Sequence, residues 1–432
     1  MLPPLSLNLA AFDISPENGF LPTKPPLTYL GDSYYQPWED LISDLPSLIS
    51  RRQVRAKVSQ LPVLATTNLN TEPQWQRAYM ILGFLTHAYI WSDSLPSQTL
   101  PPQISIPFLA VADHFDLPTT ASYSATNLWN YAPLSPGLDL CQPDNLRCLV
   151  TFTGTKDEEW FYLISVAMEA RGGRIVTEML AALDAARSDQ ADVVAAALTD
   201  FAETIKELGI LLAQMYKHCD PYVFYYNIRP MLAGSKNMAH AGLPKGVWYD
   251  EGEGNGQWRE YSGGSNAQSS LLQFFDMVLG VEHKATGESD PKKKQGFLQE
   301  MRRYMPSGHA AFLAHLMTQP SLRDFVIKQP VDNPITTAYN AAVTQFGLFR
   351  EIHIQIVTRY IILPSKNPRT KLSTEASVNL ATASLVKTSV SVEDMGTKDG
   401  AGITLELHGT GGTALIPFLK QTRDETNDAA MV

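Results

Sequence analysis

The segment DNPITTAYNAAVTQFGLFREIHIQIVTRYIILP constrains the fold most, because about thirty residues pass between Pro334 and Pro364 with only Gly347 as an interruption. Its centre, Arg350 to Tyr360, has two incompatible periodicities. At period two, Ile352, Ile354 and Ile356 oppose His353 and Gln355, the pattern of a half-buried strand. At period 3.6, His353 joins a stripe with Phe346, Phe349, Ile356, Val357 and Tyr360. Strands average about 5–6 residues, so the length of the run selects a helix. Asn333 can cap it, Pro334 suits the first helical position, and Pro364 follows its end. A helix apolar on more than one side buries His353, and a buried imidazole needs a partner. That partner is either a backbone carbonyl, which makes His353 an ordinary core residue, or a metal such as haem iron.

The remainder of the chain also reads as helical. Helical spacing runs from Trp38 to about Leu64, from Pro73 to Trp91, and in a shorter piece ending near Tyr131. Residues 1–40, rich in proline and aromatics, are expected to drape over a surface. The loop APLSPGLDLCQPDNLRC and the turn-like LVTFTGT place a domain boundary near residue 150. Beyond it, Asp157 or Thr155 can cap one long helix, and Asp189 can start another that runs to Met215. Residues 365–408 turn to Ser, Thr, Lys, Gly and Ala without a helical stripe, and are expected to form a mobile loop of the kind used as active-site lids or left disordered. HGTGGTALIPFLKQTRDE follows as a Gly-rich turn and a short helix.

With 432 residues, 44% hydrophobic and 18% charged, the chain can bury a large core in two domains. A net charge of −10 gives no basic surface for nucleic acid or anionic lipid, so small-molecule partners are expected. No apolar run reaches the roughly 18 residues of a membrane span, and residues 1–20 lack the regions of a signal peptide, so a cytoplasmic location is expected. The three cysteines, Cys141, Cys148 and Cys219, form no C-x-x-C pair, and the nine histidines form neither H-x₃-H nor H-E-x-x-H. A disulfide framework and a multi-histidine metal site are therefore not expected. One axial histidine would leave no such trace.

Four stretches could carry chemistry. SGGSNAQSS (262–270) combines glycines that allow close backbone approach with hydroxyl donors, or is simply a loop and cap before the helix at Leu271. HGTGGT (408–413) has the same ambiguity. In YVFYYNIRP (222–230), Tyr225 and Arg229 share a helical face that could meet a planar carboxylate, or pack between helices. WFYLIS (160–165) sets Phe161 and Ser165 one turn apart, as core packing also would. Asp276 could pair with Arg350 behind the histidine. Paired catalytic carboxylates, a G-x-S-x-G elbow and a Cys-His nucleophile are absent.

Together, FLQEMRRYMPSGHAAFLAHL, PSLRDFVI, FREIHIQIVTRYIILP, SGGSNAQSS and GTGGTALIPFLK occur in an order and spacing that resembles the indoleamine 2,3-dioxygenase family. THAYIW, LPPQISIPFLAVADHFDLP and SYSATNLWN extend the likeness, which covers roughly residues 20–365 and 408–420, and the insertion after Pro364 looks like that of a fungal member. The resemblance implies an all-α, two-domain fold, with a small domain (1–150) capping a large one (151–432) and haem b between them. It implies insertion of O2 across the indole C2–C3 bond of L-tryptophan to give N-formylkynurenine, the first step of the kynurenine pathway of tryptophan catabolism toward NAD biosynthesis. Carried over position by position, the proximal iron ligand falls on His353, and Arg350 falls beside a haem propionate, paired with Asp276. The distal pocket falls on Tyr123, Phe161, Ser165, Phe224 and Tyr225, with Gly264 and Ser265 from the Gly-rich loop, Ser265 also facing the haem. Arg229 matches the partner of the substrate carboxylate, and Thr410 matches the residue that holds the amino-acid end. Ser165 is a poor base, and the related tryptophan 2,3-dioxygenases have a histidine there, so orientation by Arg229 and an aromatic slot is the expected contribution of the protein. A monomer served by a separate reductant for ferric haem is expected. Asn266 stands where familiar members have alanine and Tyr225 where they have a second phenylalanine, which leaves open another indole substrate; a haem-binding sensor or signalling protein that keeps the pocket but turns over slowly is the non-enzyme alternative.

Overall fold

In the computed structural model, residues 7–284, 296–330, 333–366, 385–386, 406–407 and 415–431 are described. The chain is mostly helical. Numbering only helices of eight residues or more, these are α1 (Gln36–Ser43), α2 (Glu72–Trp91), α3 (Pro102–His114), α4 (Lys156–Arg187), α5 (Ala191–Ala213), α6 (Ser270–Leu279), α7 (Ser307–Leu316), α8 (Pro334–Val357) and α9 (Leu415–Asn427). The expected all-α class holds, with a few short strands added. A three-stranded sheet has the order β1 (Thr99–Leu100), β4 (Val247–Gly252) and β5 (Asn255–Arg259), the first pair parallel and the second antiparallel. Two small antiparallel pairs join β2 (Tyr131–Pro133) to β3 (Leu146–Cys148) and β6 (Leu385–Val386) to β7 (Glu406–Leu407). That last pair is the described part of the loop expected at 365–408, which otherwise lies outside the described residues past Lys366.

The disputed segment is a helix. The Asn333 side chain accepts from Ile335 N at 3.0 Å and Pro334 occupies the first turn, as the sequence led us to expect. Its far end differs. After Val357 the helix widens into a π turn, Thr358–Ile362, and continues as Leu363–Lys366, so Pro364 lies inside a helical turn rather than beyond it. Such a turn can carry a proline because the N–H it lacks falls where the regular i→i−4 ladder is already interrupted.

Thr155 caps α4, accepting from Glu158 N at 3.3 Å. Asp189 does not start α5. It sits at φ 58° in the reversal between α4 and α5, where aspartate tolerates the left-handed region, and the helix begins at Ala191. The Trp38–Leu64 region is three short helices, α1, Leu45–Ser50 and Val54–Val58, with Pro46 opening the second and Arg52 turning left-handed before the third.

α8 packs along α5 in the most extensive helix pair of the molecule, with α4 on the other flank of α5 and α9 across α8. At Gly209 the helices come so near that a Cβ would sit 3.1 Å from Ile352 Cδ1. The expected drape of residues 1–40 is in part a seated segment. Phe12 meets Phe312 edge-on at 5.8 Å, Phe20 meets His309 at 5.0 Å, and the Ser15–Gly19 turn lies on α4 at Gly173. A Cβ at Gly173 would overlap the Asn18 backbone and come within 2.8 Å of Gly19 N.

Gly173→Ala is therefore expected to lower stability by about 1–3 kcal/mol in urea denaturation. Glycine to alanine in an open helix raises it by up to about 1 kcal/mol, so a stabilised variant would show that this turn is not seated on α4.

Candidate active site

α8 presents one wall of a cavity of about 220 Å³, using Phe346, Phe349, Arg350, His353, Ile356 and Val357. For comparison, an apolar cavity of about 150 Å³ takes up benzene. The partial exposure of His353 is to this internal space, since protein encloses the ring. Burial, assisted by the nearby Arg350 cation, brings its pKa down to about 4, so the imidazole is neutral at pH 7. Among the described residues nothing hydrogen-bonds either ring nitrogen. An unprotonated nitrogen in a mostly apolar chamber is a lone-pair donor awaiting an acceptor.

Other walls come from α4, from residues 123–126 and from the stretch 221–232. Phe161 and Ser165, one turn apart on α4, line the cavity with Tyr123, Thr126, Phe224 and Arg229. Phe161 and Phe224 pack at 4.9 Å with their rings inclined by 57°. The stretch from Pro221 tightens and loosens in turn, as an α turn to Val223, a π turn Phe224–Ile228 and a 3₁₀ turn Arg229–Leu232. Tyr225 is not among the residues that line this cavity. Its neighbour Phe224 does line it. Tyr225 lies behind Arg229, whose guanidinium sits 5.7 Å from the centre of its ring. The expected pairing of these two side chains is present, as support for the arginine. Arg229 is 4% exposed, and burial lowers the pKa of its guanidinium, so it acts in a low-dielectric setting where a carboxylate is held strongly.

The Gly-rich loop is both a loop with caps and part of the wall. At Gly263 a Cβ would overlap Leu232 O, and at Gly264 it would come within 2.9 Å of Ala121 O, so the two glycines let the loop thread between these strands of backbone. Ser265 then caps the turn Asn266–Gln268, and Ser269 caps α6, accepting from Leu272 N at 3.4 Å. Gln268 fastens the loop by accepting from Tyr123 N (2.8 Å) and donating to Gly263 O (2.9 Å). Gly264, Ser265 and Asn266 line the cavity.

Arg350 and Asp276 are joined as expected, with Arg350 Nη2 donating to Asp276 Oδ1 at 2.6 Å. Burial pushes the Asp276 carboxyl up, but Arg350 and His283 beside it outweigh this and hold it below its ordinary value. Arg350 also donates to Thr422 O at 2.6 Å and lies over the Phe346 ring at 4.4 Å. Thr410 lies outside the described residues.

Two features escaped the sequence reading. α9 is a wall, contributing Leu415, Phe418, Leu419 and Thr422. Glu169 lies one turn beyond Ser165, at a smaller cavity of about 30 Å³ shared with Ser165, Asn266 and His353. Its Oε1 accepts from Tyr123 OH (2.9 Å) and Ser269 Oγ (2.6 Å), while buried Oε2 has no hydrogen-bond partner among the described residues. A lone acid in the apolar run LISVAMEA, four residues after a candidate serine, was the available signal.

The donor set fits haem. Among the described residues no three His, Cys, Asp or Glu side chains gather to hold a bare metal ion, whereas one neutral imidazole in a large apolar chamber suits a metal that brings its own macrocycle. His353 would ligate it, with Arg350 and Ser265 at hand for its carboxylates.

A sequence model of the indoleamine 2,3-dioxygenase family matches residues 8–429. The chain is 42% identical over 432 residues to indoleamine 2,3-dioxygenase of Saccharomyces cerevisiae, covering 97% of this chain and 92% of that one. It is 39% identical to indoleamine 2,3-dioxygenase nanC of Aspergillus nanangensis, covering 99% and 98% of the two chains. It is 37% identical to 6-hydroxytryptophan 2,3-dioxygenase fscD of Fusarium equiseti, covering 98% and 97%.

Burial pushes the Glu169 carboxyl up to about 7, against hydrogen bonds from Ser269 and Tyr123 that pull it down. Between the ordinary value near 4.5 and about 7, only the unfolded chain ionises this group, so wild-type stability should fall as pH rises through that window and then level. Glu169→Gln should remove this slope and be about 2–3 kcal/mol more stable than wild type near pH 8, by urea midpoints. Superimposable pH profiles would refute the assignment.

Proposed function

The chain belongs to the indoleamine 2,3-dioxygenase family, and we propose that its substrate is L-tryptophan, converted with O2 to N-formylkynurenine, with haem b held on His353. The observation that carries this reading is the pairing, in one cavity, of a neutral imidazole without a hydrogen-bond partner among the described residues and a buried arginine among aromatic side chains. The family is a family of dioxygenases, and both oxygen atoms are retained in the product.

Haem, when bound, supplies the activation of O2. The residues of this chain bind, orient and exclude water. His353 offers a lone pair that needs no deprotonation at neutral pH. Arg229 takes the substrate carboxylate by charge-assisted hydrogen bonds, which fixes the distance of the indole along the slot. Phe161 and Phe224 wall that slot and keep it dry. Ser165 is hydroxyl only, so no strong base is set against the indole N–H. Arg350, Asp276 and Ser265 are assigned to the haem carboxylates and the support of the histidine helix, and Thr410 to the amino-acid end of the substrate. In the same reading residues 1–150 cap the large part 151–432, the enzyme works in the cytoplasm as a monomer, and a separate reductant returns ferric haem to the ferrous state. Among the described residues no helix is long and apolar enough to cross a membrane.

Asn266 favours a second reading, a ring-hydroxylated tryptophan, because its side chain joins the cavity lining with an amide that can pair with a hydroxyl. The relative from Fusarium equiseti is named for such a substrate. Comparing kcat/KM on L-tryptophan and 6-hydroxytryptophan separates the two.

Anaerobic reduction of haem-loaded protein, followed by O2 and L-tryptophan, is expected to yield N-formylkynurenine. His353→Ala should lose the Soret band while keeping its far-ultraviolet circular dichroism, and Arg229→Leu should lose at least about thirtyfold in kcat/KM, roughly 2 kcal/mol. Normal haem uptake by the His353 variant would exclude the ligand assignment.

A further inference from the structure

The seam between α6, α8 and α9 carries a closed ring of charges. Asp276, on α6, takes Arg350 Nη2 on one oxygen at 2.6 Å and lies 3.1 Å from His283 Nε2 through the other. His283, just past the end of α6, meets Glu425 of α9 through Nδ1 at 2.7 Å. Glu425 also accepts from Lys284 N (3.0 Å) and Gln421 Nε2 (2.7 Å). One turn earlier on α9, Thr422 O accepts from Arg350 and closes the ring. The four side chains are 8–17% exposed. With the imidazole protonated, two carboxylates meet two cations: Nδ1 is hydrogen-bonded to Glu425, and Nε2 stands at ion-pair distance from Asp276 without hydrogen-bond geometry among the described residues. With it neutral, one ring nitrogen loses its proton and two buried carboxylates share a single guanidinium.

We infer that His283 and Glu425 are positioning residues: the protonated imidazole locks α9 against α6 and α8 and so holds the wall formed by Leu415, Phe418, Leu419 and Thr422 over the cavity. The groups facing His283 are Asp276 from α6, Glu425 from α9 and Arg350 from α8, with Glu282 and Lys284 adjacent in sequence. Burial lowers the pKa of this histidine, but Asp276 and Glu425 outweigh both that and Arg350, leaving it above its ordinary 6.5. The sign follows. Stability from a raised histidine is fully present below the ordinary value and is lost as pH rises through the folded one, so the lock opens on the alkaline side. The lock is a property of the fold. Its use in retaining haem rests on the function proposed above.

The test is hydrogen exchange on the full chain, reading protection factors of the 415–427 amides, corrected for intrinsic rates, at about pH 6 and about pH 9. Wild type should lose at least about tenfold protection between them. His283→Gln should be low and flat, and Glu425→Gln should be flat as well, which keeps the test available if the first variant does not fold. Constant protection in wild type, or an equal fall in wild type and variants, overturns the lock. Transfer of haem to excess apomyoglobin, followed over the same range, should quicken in step in wild type alone. A chain that takes up no haem yet shows the exchange pattern fails the proposed function and keeps the lock.

Discussion

Arg350 cannot be buried alone, and much of the molecule is arranged around satisfying it. Its guanidinium is 12% exposed and Asp276 is 8% exposed, and they meet at 2.6 Å. Removing one partner of such a pair costs about 3–5 kcal/mol because the other charge is left uncompensated in a low dielectric. Asp276 can reach Arg350 only if α6 starts where it does, and its start is set by Ser269, which also reaches across to Glu169 on α4. The second donor of Arg350 fixes α9 at Thr422. One cation therefore sets the mutual register of three helices, and His353 hangs one turn beyond it on the same helix. The side chains that define the cavity are held by a contact outside its aromatic slot.

The histidine and its chamber have a common electrostatic logic. Apolar residues strip water from His353 and keep it neutral, while Arg350 on the same helix adds a positive field that further disfavours protonation. Glu169 obeys the same rule with opposite sign, since burial without a cation favours its neutral acid. Asp276, equally buried but beside two cations, stays ionised. Three titratable groups around these two neighbouring cavities are thus assigned their charge by their neighbours.

Much of this was legible from residues alone. Length chose the helix over the strand for the isoleucine alternation, and Asn333, Pro334 and Thr155 marked true starts because capping is local chemistry. The ordered motifs identified the family and drew attention to the residues that now share a cavity, with Phe161, Ser165, Phe224, Arg229, Gly264, Ser265 and His353 all on its lining. What failed was whatever depends on the count of residues per turn. The π turns at Phe224–Ile228 and Thr358–Ile362 have no compositional mark, so the helix runs on through Pro364, where a stop is expected, and Tyr225 comes to lie against Arg229. Asp189 has the composition of a cap and the conformation of a hinge. His283 and Glu425 had no local signal because their partners come from distant parts of the chain, and Glu169 had only its place as a lone acid in an apolar run.

The seat of residues 12–20 on α4 and α7 has a kinetic meaning. Phe12 waits for Phe312 and Phe20 for His309, nearly three hundred positions later. During synthesis this segment is made early, yet its binding site is completed only when α7 emerges from the ribosome. Contacts of such sequence separation form late, because loop closure must precede their reward. The clasp over Gly173 is then expected among the closing steps of folding.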